Sequence, residues 1–65
     1  MNKTIIVILS KNNTFVKTMT YDSFLSIPNE LFMDFRLLET RSDTYIYKHM
    51  KRNATFLKNE LKRLW

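Results

Sequence analysis

Apolar and polar positions are arranged in different ways along the two halves of this chain. Residues Thr4–Leu9 form a short β-branched apolar run, and Thr14–Tyr21 is rich in Thr, Val, Phe and Tyr, a composition suited to strands. Between them lies Ser10-Lys11-Asn12-Asn13. Asparagine tolerates positive φ, so a two-residue Asn12-Asn13 turn is expected. In that register Leu9 faces Val16, Val7 faces Thr18 and Ile5 faces Thr20, while Ile6 and Ile8 share the other face with Phe15 and Met19. The first strand is then apolar on both faces, the mark of a strand covered on both sides. Helices are expected over one face, and a second copy of the chain over the other.

Downstream the period lengthens. Pro28 suits a helix first turn, with Ser26 as a candidate cap before it. Leu31, Phe35 and Leu38 follow at i, i+4 and i+7, so an amphipathic helix is predicted over residues 28–39. Thr40 and Asp43 fit a capping box, with Ser42 a competing cap. From there Tyr47, Met50, Ala54, Leu57, Leu61 and Leu64 recur at spacings of three and four, predicting a helix over residues 42–64. A second assignment fits the same stretch. Arg36–Thr40 and Thr44–Lys48 read as strands around an Arg41-Ser42-Asp43 turn, because Thr44-Tyr45-Ile46-Tyr47 has strong β propensity.

The leading expectation is therefore an α+β fold in one small domain spanning residues 1–65. An antiparallel hairpin (about 3–9 and 14–21) precedes two helices (about 28–39 and 42–64). With 65 residues the core is small, and with no cysteine and one histidine neither a disulfide nor a structural zinc site is available as a staple. That leaves packing or self-association, and a homodimer is expected. Five apolar residues at Ile5–Leu9 are too few for a signal peptide or a membrane span, so a cytoplasmic location without membrane attachment is expected.

Composition adds a hint of origin. Phe, Tyr, Met, Ile, Asn and Lys supply 30 of the 65 residues, whereas Gly, Ala, Arg and Pro supply six. The first group has AT-rich codons and the second GC-rich ones, pointing to an AT-rich gene of a phage or mobile element. The expected location is then the host cell cytoplasm.

Charge is divided unevenly. Residues 1–40 carry four cations and four acids; residues 41–65 carry seven cations against Asp43 and Glu60, and so hold the whole net charge of +5. Such a field attracts nucleic acid, anionic membrane or acidic protein, and also serves plain solubility. On a continuous helix, Tyr45, His49, Arg52, Phe56 and Arg63 would share the face opposite the apolar stripe, flanked by Lys48, Lys51, Lys58 and Lys62. Aromatics and arginines concentrate where proteins bind partners, so this face is the candidate partner-binding site. The same groups could grip phosphates and stack on bases.

Catalytic chemistry finds little footing. His49 is the only histidine and lies in no nucleophile–base or paired-ligand pattern. Glu30 and Asp34, at i, i+4, are better read as a solvated helix face than as ligands of a divalent ion. No enzyme activity, cofactor or metal is expected. The predicted function is a phage-type regulator that binds and inhibits or redirects a host protein through its basic, aromatic-studded C-terminal helix. The alternative is a dimeric DNA- or RNA-binding regulator using the same helix. In support of that alternative, Ile27-Pro28-Asn29-Glu30-Leu31, a break at Arg41-Ser42 and the segment Tyr45–Leu61 resemble ribbon-helix-helix repressors. That resemblance implies a dimer that reads DNA with paired strands.

Overall fold

A computed structural model of the chain describes residues 4–63; Lys3 and Leu64, which the sequence assigned to a strand and to the apolar stripe, lie outside the described residues. Two hairpins dominate. The first pairs β1 (Ile5–Leu9) with β2 (Phe15–Thr20), the second β3 (Phe35–Arg41) with β4 (Thr44–His49). β1 and β4 run parallel at the centre, giving a four-stranded mixed sheet in the order β2-β1-β4-β3. Between the hairpins lie two short helices, α1 (Tyr21–Leu25) and α2 (Asn29–Phe32), and after the second comes α3 (Ala54–Lys62).

This corrects the expectation of one hairpin followed by two helices, although the α+β class holds. The helix predicted over 28–39 keeps only Asn29–Phe32, and Phe35 begins a strand. The helix predicted over 42–64 is strand β4, a loop, and α3. The alternative pair of strands around Arg41-Ser42-Asp43 is what forms, closed by a two-residue turn with Ser42 at a φ of 48°. With these segments in strands, the arrangement implied by the ribbon-helix-helix resemblance is absent.

The reason lies in the spacings. Residues four apart share a face on both a helix and a strand, so Leu31/Phe35 and Tyr45/His49 satisfied either geometry. Only Tyr45, Tyr47 and His49, three alternate positions, separated the two, and β4 follows that alternation. Its central place buries every residue at least in part. The amide of Ile5 donates to the Asp43 carbonyl at 2.8 Å, fixing where β1 and β4 meet.

The first hairpin differs from its predicted register in one informative way. Ile5 pairs with Thr20 and Val7 with Thr18 as expected, but a bulge then sets Leu9 opposite Phe15 and leaves Val16 as the extra residue. Phe15 therefore joins Leu9, and Val16 joins Ile6 and Ile8 in the core. The turn spans residues 10–14 rather than two residues. Buried Ser10 accepts the Asn12 and Thr14 amides on its Oγ, and Asn13 takes the positive φ of 64°.

All three helices lie on one face of the sheet. Thr20 caps α1 by accepting the Ser23 amide, so Tyr21, expected at the end of the second strand, opens a helix instead; Ser26 closes α1 rather than opening the next helix. Pro28 stands immediately before α2. Asn53 caps α3 through its Oδ1 and the Phe56 amide at 2.8 Å, worth about 1 kcal/mol. Beneath them the core gathers Ile6, Ile8, Val16, Met19, Phe24, Leu57 and Leu61. Phe24 is its hub, with ring centroids 4.9 Å from Phe32, 5.5 Å from Phe35 and 4.5 Å from Tyr47. Such aromatic pairs add about 0.5–1.5 kcal/mol each beyond their burial.

Candidate binding surface

The five residues expected on one helical face are dispersed by this fold. Tyr45 and His49 lie on β4, on the helix-covered side of the sheet; Tyr45 is half-buried against the core and His49 is fully buried. Arg52 belongs to the loop before α3, and Phe56 lies on α3, half-buried. Arg63 caps the end of α3 and is exposed. The structure brings three of the five together through Arg52: its guanidinium stacks 4.4 Å from the Phe56 ring centroid, and its backbone amide donates to His49 Nδ1 at 3.0 Å. Of the flanking lysines, Lys48 is on β4, Lys51 in the loop 3.6 Å from the Asp34 carboxylate, and Lys58 and Lys62 on α3. The positive charge of the C-terminal segment is thus shared among two strands, a loop and one short helix.

His49 serves structure. Its Nδ1 accepts the amides of Lys51 and Arg52 at 3.2 and 3.0 Å, so the ring carries its proton on Nε2 and packs edge-on to Phe35 at 4.8 Å. That Nε2 has no well-formed hydrogen bond among the described residues. Burial pushes the His49 pKa below its ordinary 6.5, against a weaker upward pull from the Asp34 carboxylate and the Leu31 backbone. A neutral imidazole is what this loop is built around. Among the described residues no three His, Cys, Asp or Glu side chains are grouped to hold a metal ion, and no helix is long and apolar enough to cross a membrane.

The face of the sheet turned away from the helices is a different surface. Strand pairing lays it out in three rows across β2, β1, β4 and β3. They are Thr20–Ile5–Thr44–Arg41, Thr18–Val7–Ile46–Glu39 and Phe15–Leu9–Lys48–Arg36. Its middle is aliphatic, with Ile5, Val7 and Leu9 forming a spine along β1 beside Ile46. No element of the described chain covers it: Ile5 is 44% exposed and Phe15 54%. Glu39 pairs with Arg41. At the opposite corner Arg36 stands directly across from Lys48, two like charges whose Cβ atoms such pairing holds about 4.5–5.5 Å apart.

The sequence signalled part of this face. An apolar strand one, Ile5 through Leu9, announced two faces that each want cover, and the structure covers one. The contributions of Ile46, Lys48 and Arg36 went unseen because they depend on β3 and β4 being strands. Comparison of the chain with protein-family models, curated proteins and solved structures finds no match in any of the three.

Proposed function

We propose that this protein is a non-enzymatic docking module that binds an acidic protein, with the uncovered face of its sheet as the binding surface. The observation that carries this reading is the Arg36–Lys48 pair at the end of the Ile5–Val7–Leu9 spine. Like charges directly opposite on a sheet are destabilising, and an aliphatic spine left in water forgoes its burial. An acidic protein with an apolar ridge relieves both. The face carries Arg36, Arg41 and Lys48 against the single acid Glu39, so its complement is negative. A second copy of the chain, the homodimer expected from sequence, brings the same positive face and is the poorer fit. Single-stranded nucleic acid stacks on aromatic platforms, and among the described residues Phe15 is the only aromatic on the face. Coding bias supports a phage-type origin, and with it a regulator that inhibits or redirects a host protein in the host cytoplasm.

The test is site-specific photocrosslinking in cells, with a benzophenone side chain at Ile46 or Phe15 and a control at exposed Lys58 on the helical side. A discrete acidic protein should be captured from the sheet face, absent from the control, and lost when Arg36→Glu and Lys48→Glu are combined. Adducts consisting only of a second copy of this chain, or the same adducts from both sides, would overturn the proposal.

A further inference from the structure

We infer that two copies of this chain join antiparallel along β3, merging their four-stranded sheets into one continuous sheet. β3 is an edge strand, at the opposite side of the sheet from β2, against which α3 packs. Its outward edge pairs with no described strand, and such an edge is a template for another. Six of its seven residues are exposed, with Leu37 at 50% and Leu38 at 52%.

The centre of the strand is complementary to itself. Arg36-Leu37-Leu38-Glu39, turned end for end, sets Arg36 opposite Glu39 of a second copy and Leu37 opposite its Leu38. Facing residues must also lie on the same side of the sheet, and in a regular strand residues three apart point to opposite sides. The bulge in β3 removes that obstacle. Leu37 pairs with Tyr47 and Glu39 with Ile46, which leaves Leu38 as an extra residue and brings Arg36 and Glu39 together on the outer face. A twofold axis perpendicular to the sheet, passing between the leucines, then keeps the outer faces of both copies on one side.

Charge selects this register. Sliding one copy by two residues sets Arg36 opposite Arg41, and like charges directly opposite are destabilising. Glu39 already pairs with Arg41 on its own strand, but a carboxylate has acceptor sites enough for a second guanidinium. Arg36, which stands across from Lys48 within its own sheet, gains an opposite charge on its other side. The other edge strand, β2, has no acid along Phe15–Thr20 and offers no such complement. Bulges and charges ordinarily guard an edge. Here they turn away a regular strand and admit a second copy, whose own bulge and charges match. The outer face stays open in this dimer, so the inference does not rest on the acidic-partner reading.

Sedimentation velocity of the purified chain from about 1 to 100 μM tests it, with circular dichroism to check that each variant folds. The wild-type chain should be dimeric at the upper end. Arg36→Glu sets acid against acid across the axis, and Glu39→Arg sets arginine against arginine. Each should weaken association by about tenfold or more. Mixed in equal amounts, the two variants should dimerise again, because acids at positions 36 and 39 of one copy meet arginines at 39 and 36 of the other. The combined variant Arg36→Glu/Glu39→Arg should dimerise by itself for the same reason. A wild-type chain that is monomeric throughout, single variants that dimerise as well as wild type, or a mixture of folded variants that stays monomeric would each overturn the inference.

Discussion

The two faces of this sheet are built from alternate residues of the same strands, yet one is closed and the other open. On the helical side Ile6 and Ile8 are fully buried beneath Phe24, Leu57 and Leu61. One residue along, Ile5 and Val7 present almost the same chemistry to solvent or to a partner. Parallel strands such as β1 and β4 are normally buried on both faces. Among the described residues there are three helices, and all of them go to one side. The difference teaches that apolar character in a strand states a demand for cover without saying who supplies it.

Truncation at the hub should give the largest effect. Phe24→Ala removes a ring that touches three others, at a cost of about 3–5 kcal/mol, comparable to the entire stability of a small domain. Chemical denaturation should find it largely unfolded. Adjacent isoleucines give a sharper contrast. Ile6→Ala should destabilise by about 2–4 kcal/mol, whereas Ile5→Ala, 44% exposed, should cost less than about 1 kcal/mol. Equal losses at the two positions would mean that the outer face is covered in the isolated protein, as by a second copy.

His49 supplies a pH test of the covered side. Its folded pKa lies below the ordinary 6.5, so below that value the unfolded chain binds a proton that the folded chain resists. The stability it contributes is complete above about pH 6.5 and is lost as pH falls from there through the lowered folded pKa. Protonating Nδ1 also ejects the Lys51 and Arg52 amides from their acceptor. Denaturant melts from pH 7.5 to 5 should show this decline, and His49→Asn should flatten it.

The smallest effect has the most diagnostic sign. Lys48→Glu turns the Arg36 pair from repulsive to attractive and should raise stability by about 0.2–1 kcal/mol while abolishing capture of an acidic partner. A variant that gains stability and loses binding places the pair in recognition. Loss of both would return it to ordinary folding.

Legibility was uneven for physical reasons. Strand one and its partner could be read because β-branched residues and an Asn-rich turn act locally, and Ile5–Thr20 and Val7–Thr18 pair as expected. The bulge at Val16 was invisible, since it answers to what packs beneath it. Leu57 and Leu61 were correctly seen as core-facing, while Tyr47 and Met50 in the same supposed stripe belong to a strand and a loop. Among the candidate site residues, Arg52 and Phe56 do meet, but His49 is core.

What the sequence determined by itself was local: where strands one and two lie, that Asn13 would turn, and that the C-terminal segment carries the net charge. It also announced that one strand wants cover on two sides. The tertiary structure decided the rest. Residues 35–49 fit helix and strand alike until β4 found a place between β1 and β3, where its backbone is hydrogen-bonded as it would be in a helix and its alternate residues Tyr45, Tyr47 and His49 pack into the core. That choice took Tyr45 and His49 off the helix, set Lys48 against Arg36, and left the Ile5–Val7–Leu9 spine open.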